Sequence, residues 1–182
     1  AAGEPEPDAY AFEGDVVREI RILNKSLFDP SKPGENKRLF RWANRLHRTT
    51  RPHVIEQQIL LEPGEAFSVE AMEESERILR SNQYLYEAEI RPVAAGEGQV
   101  DLEVETRDVW TLRGGVSFNR AGGENSYGFN IQDSNFLGLG KEVTLLRVSG
   151  IDRTSDVFRY RDPNLAGSRT RVELSYADNS DG

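Results

Sequence analysis

Four groups of residues in this chain have the types and spacing to do chemistry. The first is Gly138-Leu139-Gly140-Lys141, inside DSNFLGLGKEVTL at 133–145. Glycines followed by a lysine suit a phosphate cradle, where free N–H groups at a helix start and an ammonium share the anion's charge. The rest of that pattern is missing. Asn135 stands where the earlier glycine belongs, and Glu142 replaces the serine or threonine. The following VTLLRVS is β-branched, so a strand follows and not a helix. The stretch reads as a β-hairpin connection in which glycine supplies positive φ.

His47 and His53 form the second group, and they are the two histidines of the chain. They fall on different predicted helices across Pro52, with no cysteine and no carboxylate at ligand spacing. They read as surface or helix-end residues. Third, Asp101, Glu103 and Glu105 alternate along one face of a predicted strand. A cation is one use for them, and a solvated face is the ordinary one. Fourth, Lys37, Arg38, Arg41, Arg45, Arg48 and Arg51 concentrate positive charge without an intervening acid. Against anionic lipid headgroups each such residue contributes about 1 kcal/mol. The alternative is a solvated helix face. No Gly-x-Ser-x-Gly and no recognised catalytic pair occurs. The chain reads as a non-enzyme, without metal or cofactor.

Composition narrows the classes further. The 182 residues carry a formal charge of -8, which argues against a general nucleic-acid binder. There is no cysteine, hence no disulfide framework. No apolar run approaches the ~18 residues of a membrane-spanning helix, which leaves membrane-spanning strands open. AAGEPEPDAYAFEGD has neither the basic start nor the apolar centre of a signal peptide. Residues 1–13 read as a flexible acidic leader, of the kind left when such a peptide is removed.

Two grammars follow. Over 14–108 strands and helices mix. VVREIRIL (16–23) reads as a strand, and 24–36 as a Pro/Gly loop. KRLFRWANRLHR (37–48) places Leu39, Trp42, Ala43 and Leu46 on one helical stripe, and HVIEQQILL (53–61) repeats the spacing. Glu62 to Glu65 make a turn. Ser68 is the expected N-cap of a helix to about Ser81, with acids early and arginines late. YLYEAEIRP (84–92) and QVDLEVET (99–106) read as a hairpin. From residue 109 the helical period stops. Alternating strands are expected at 110–119, 125–133, 141–149, 155–162 and 168–177. Their length of about nine residues is near that of membrane-spanning β-strands, ~9–11.

GFNIQDSNFLGLGKEVTL, followed by YRDPNLAGSRTRVELSY, resembles the opening strands of the bacterial surface-antigen barrels. These are the outer-membrane assembly and secretion family of the BamA–TamA type, which includes two-partner secretion transporters. The family motif of Asn, an aromatic or Leu, then Leu-Gly-x-Gly matches Asn135 to Gly140, including Gly138. Its later aromatic, Asp-Pro and small-residue turn matches Tyr160, Asp162, Pro163 and Gly167. The part upstream is similar to a POTRA domain, through its order β-α-α-β-β and the segments LEPGEAFS and ERILRSNQYLYEAEIRP. The stretch from Asn24 to Pro52 departs from that pattern by an extra amphipathic helix. The five candidate strands are too few to close a barrel of this family, so the chain reads as part of a longer protein.

The resemblance implies an α+β fold: a POTRA-like periplasmic domain over 14–108 and the first strands of a transmembrane β-barrel over 109–182. It implies residence in the bacterial outer membrane, with the first domain in the periplasm. The second POTRA strand lies at a sheet edge, so Tyr84, Leu85, Tyr86, Glu87, Ala88, Glu89 and Ile90 would receive an extended polypeptide by strand addition. The barrel would then insert or export it. Partners implied are unfolded polypeptide clients, outer-membrane lipid and other envelope assembly proteins, and no nucleic acid. The alternative is a barrel anchor that displays a separate enzymatic or binding domain, with the POTRA-like domain as adaptor.

Overall fold

The computed structural model describes residues 8–25, 27, 48–150, 153–168 and 170–181. The chain divides into two compact units at Val109 and Trp110. In the first, strand β1 (Val16–Lys25) precedes helices α1 (Pro52–Glu56) and α2 (Val69–Arg80). The hairpin β2 (Leu85–Gly96) and β3 (Gln99–Asp108) follows. The sheet order is β1-β3-β2, with β1 parallel and β2 antiparallel to β3.

Alternation along β3 decides the layering. Val100, Leu102, Val104 and Thr106 are fully buried, and the three apolar ones meet Val17, Ile55, Phe67 and Leu79 in one core. The helix α2 contributes Val69, Met72, Ser75 and Leu79 to the buried side. Ser75 is buried without loss, since its hydroxyl donates to the Ala71 carbonyl and accepts the Leu60 N–H.

The other face of the sheet is ionic. Asp101, expected as a solvated carboxylate, is 2% exposed. Arg18 grips it through two bonds of 2.8 and 2.5 Å, and Arg21 lies 3.0 Å away. Glu105 is flanked by Lys25 on β1 and Arg91 on β2. Asp101 is therefore a counter-ion for two bases of β1, and Glu105 for one base of each neighbouring strand.

Several expected boundaries move. The leader expected over 1–13 is structured from Asp8, whose carboxylate accepts the Tyr10 N–H at the start of a 3-10 turn, Ala9–Phe12. Ala9 and Phe12 pack on the core. Ser68 holds the N-cap position of α2, but its side chain makes no cap bond. Glu13 takes that role instead, accepting the Val69 N–H at 2.8 Å. A carboxylate suits the positive end of the helix. The helix expected over 53–61 ends at Glu56, where Gln58 and Ile59 close i→i+3 bonds and tighten the chain toward the turn at Gly64. The helix expected over 37–48 lies outside the described residues, apart from Arg48.

The second unit is an antiparallel meander in the order β4-β5-β6-β7-β8. Its strands are β4 (Leu112–Ala121), β5 (Glu124–Asp133), β6 (Glu142–Ser149), β7 (Arg153–Asp162) and β8 (Val172–Asp181). Gly122 and Gly123 both have positive φ, as a two-residue hairpin between right-twisted strands requires. The last strand starts four residues later than expected, because Asp162 pairs with Val172 and a 3-10 turn, Leu165–Gly167, follows Asp162.

Asp101 is held well below the ordinary carboxylate value, chiefly by its hydrogen bond from Arg18. Its contribution to folding is fully present above about pH 4 and is lost as pH falls through the lowered native value. Asp101→Asn should destabilise the first unit at pH 7 and flatten its pH dependence below pH 4. Denaturant midpoints at pH 7 and pH 3 measure this.

Candidate functional site

The strand β2 lies at the margin of its sheet and pairs only with β3 among the described strands. The direction of its backbone groups follows from one bond. Ile90 donates its N–H to Glu76 Oε1 at 2.7 Å. That proton is single, so Ile90 and its alternates Ala88 and Pro92 turn their groups away from β3. Glu87, Glu89 and Arg91 turn theirs toward it. Pro92 fits this parity, since proline is tolerated where the missing N–H faces outward on an edge strand.

The edge is not bare. Arg80 Nε donates to the Ala88 carbonyl at 2.8 Å, and Arg80 pairs with Glu76 at 2.8 Å. Two side chains of α2 thus occupy an outward carbonyl and an outward N–H of β2. The residues expected to meet a client also separate. Tyr84 and Leu85 are core residues, 4% and 6% exposed. The Tyr84 hydroxyl accepts from Gln58 at 2.8 Å, and burial pushes its pKa up to about 12. Ala88 and Ile90 direct their side chains into the core. Tyr86 alone of the apolar set is open, at 70% exposure, on an irregularity in the ladder between Leu85 and Glu87.

In the second unit the register sorts residues onto two faces. One row joins Leu112, Asp133, Val143, Tyr160 and Leu174, and the next joins Gly114, Ile131, Leu145, Phe158 and Tyr176. The third joins Val116, Phe129, Arg147, Asp156 and Asp178, and the fourth Phe118, Tyr127, Ser149, Thr154 and Ser180. Apolar side chains fill the third and fourth rows on β4, the second to fourth on β5, and the first and second on β6 to β8, with Leu112 apart in the first row of β4. The apolar band therefore runs obliquely, by about two rows across five strands. That is roughly 13 Å along the strands against roughly 19 Å across them, an inclination of ~35°. Membrane-spanning strands tilt by about 35–45° from the bilayer normal.

The opposite face is mostly polar, with Arg113, Ser117, Asn130, Gln132, Arg159, Arg161 and Glu173, and is interrupted by Leu146, Val148 and Val157 on β6 and β7. Arg161 joins Glu142 and Glu173 across three strands. Gly128 also belongs to this face. A Cβ there would sit 2.9 Å from the Arg147 carbonyl and 2.9 Å from Ser117 Oγ. Glycine at this position permits the close approach of both neighbours.

The motif residues lie in two turns at the end where β4 begins. The turns have one design, and the sequence shows it as a repeat: Asp133-Ser134-Asn135-Phe136-Leu137-Gly138 and Asp162-Pro163-Asn164-Leu165-Ala166-Gly167. In each, the Asp carboxylate accepts the N–H of the Asn two residues on, at 3.0 and 3.1 Å. Leu137 and Ala166 adopt left-handed φ of 57° and 52° before the glycine. Asn135 is buried, and its Oδ1 accepts the Gly140 N–H at 2.7 Å. Lys141 spans the two turns to reach the buried Asp162 at 3.1 Å, with its ammonium 6.0 Å from the Tyr160 ring centre. The glycines of the opening motif are turn glycines followed by strand β6, which leaves no helix start to hold a phosphate.

Of the other candidates, His53 is exposed in the first turn of α1. Arg48 and Arg51 are exposed. His47, Lys37, Arg38, Arg41 and Arg45 lie outside the described residues. Among the described residues no three His, Asp or Glu side chains gather as a metal site.

No protein-family model and no curated protein matches this chain. Solved structures do. BamA from Haemophilus ducreyi lacking POTRA domains 1–3 is similar over 98% of this chain, with a TM-score of 0.61 and 17% identity. CdiB from Acinetobacter baumannii is similar over 91%, with a TM-score of 0.57 and 13% identity. The likeness is one of fold. This chain spans 28% of either structure's length, and its second unit has the fold of an unclosed part of such a barrel wall.

Replacing Asn135 by Ala removes the acceptor of a buried N–H. It should destabilise the second unit by about 1–3 kcal/mol. Asn135→Asp, which keeps the oxygen, should cost less. Guanidinium unfolding of the full chain in detergent separates the two.

Proposed function

We propose that this chain belongs to a bacterial outer-membrane β-barrel protein of the assembly and secretion class. Its first unit would be a POTRA-like periplasmic domain, and β4 to β8 part of the barrel wall. One observation carries the reading: an oblique apolar band on one face of an antiparallel array, backed by a polar face. Nine large apolar side chains of that band, including Val116, Phe118, Leu174 and Tyr176, are more than two-fifths exposed. Soluble monomers rarely expose a contiguous patch of more than a few hundred Å². Lipid acyl chains cover such a face when the strands stand tilted in a bilayer, and the polar face then lines the interior. The similarity to BamA and CdiB supports the same class.

In this reading the work is done by backbone groups and needs no cofactor. The β2 edge, with Tyr86 beside it, receives an extended polypeptide, and the barrel inserts or exports it. Glu89 turns its N–H toward β3, so the outward groups of Ala88 and Ile90 are the ones that would meet the polypeptide. The occupied groups at Ala88 and Ile90 favour the rival reading, in which the first unit is an adaptor and the barrel an anchor. Contact between anionic lipid and Lys37, Arg38, Arg41, Arg45, Arg48 and Arg51 is a further part of the proposal.

Phe129→Arg, on the apolar band, should weaken insertion into lipid vesicles by about 2–4 kcal/mol. Asn130→Arg, its neighbour on the polar face, should change insertion far less. Equal effects would remove the lipid-facing assignment. Depletion of the full-length protein in cells tests the activity. Other outer-membrane barrels should decline if it assembles them and hold their level if it is an anchor.

A further inference from the structure

We infer that Glu76 and Arg80 form a latch on the β2 edge, which an extended polypeptide must displace in order to dock. This rests on the reading of that edge as a docking surface. An added strand must accept the Ile90 N–H and donate to the Ala88 carbonyl. Glu76 and Arg80 already supply that acceptor and that donor, at 2.7 and 2.8 Å. Both bonds are charge-assisted, a class roughly twice as strong as the neutral bonds of a strand ladder. The ion pair between the two side chains holds them in place together. Pro92, the next outward residue, offers no N–H, so the latch covers the outward N–H nearest the middle of the strand.

The latch can open without unpacking the domain. The apolar stripe of α2, with Val69, Met72 and Leu79, fixes the helix on the core. The Arg80 side chain is 56% exposed and can rotate into water. Glu76 is more enclosed, at 15%, and loses its counter-ion when Arg80 leaves. The edge therefore opens by two changes of rotamer, while α2 stays seated.

The occupant is an extended segment of another polypeptide and not a second copy of this chain. Two β2 edges meeting antiparallel about Glu89 would set the two Glu89 carboxylates face to face, with Glu87 of each copy opposite Arg91 of the other, between chains that each carry a formal charge of -8. Like charges facing each other across strands are destabilising. A segment with alternate lysines meets the same carboxylates favourably.

The test uses the full chain in detergent micelles and its Glu76→Ala/Arg80→Ala variant. The probe is a ten-residue peptide of alternating valine and lysine. Hydrogen exchange at the Ile90 amide should be about tenfold faster in the variant, and the peptide should bind it about tenfold more tightly. Arg80→Ala alone, which removes only the donor, should move both readouts in the same direction by less. Circular dichroism checks that α2 is retained. Unchanged exchange at Ile90, or equal peptide binding by both proteins, overturns the latch. Faster exchange with no peptide bound by either protein keeps the latch and overturns the docking reading.

Discussion

A carboxylate accepting a backbone N–H recurs at several places where this chain ends or redirects a regular element. Asp8 receives Tyr10, Glu13 receives Val69, Asp108 receives Thr50, and Glu76 receives Ile90. Asp133 and Asp162 do the same in the twin turns. The reason is general. Helix starts, strand edges and turns all leave N–H groups without backbone partners, and an unmet donor out of water costs about 1–3 kcal/mol. A chain with 31 acidic residues and no cysteine has the acceptors to hand. Its acids are structural before they are anything else, and among the described residues they do not converge on a centre for chemistry.

The two units meet the same constraint at their margins in different ways. On β1, the segment 64–67 supplies backbone bonds, with Val17 donating to Glu65 and Gly64 to Val17. On β2, side chains of α2 supply them. In the second unit the strands satisfy one another in sequence from β4 to β8, and the polar face adds ion pairs such as Arg161 with Glu142. A sheet with apolar residues on one side and paired charges on the other has no soluble core of its own.

Local alternation was the most legible part of the sequence. Val100, Leu102 and Val104 face the core, and Tyr127, Phe129 and Ile131 share a face with Leu112. The turn at Gly138 and Gly140 was legible too, because a β-branched run after Lys141 cannot continue as a helix. What escaped was set by partners distant in sequence. Ser68 has the right residue type for a cap, yet Glu13 from before β1 reaches the Val69 N–H first. Asp101 looks like its neighbours Glu103 and Glu105, and only the parallel placement of β1 brings Arg18 and Arg21 onto it. Glu76 and Arg80 lie four residues apart on α2, and nothing local reveals that β2 runs beside them. The repeat of Asp-x-Asn-x-x-Gly was present in the letters, but the family motifs divided it differently.

That repeat also bears on how such a wall is built. Equivalent turns recur every second strand and share one rim, where Lys141 of the first reaches the Asp162 carboxylate that opens the second. The modular brick is therefore a hairpin with its own fastener to the next. A wall laid in such bricks widens in even increments, and each addition leaves the chemistry of that rim as it was.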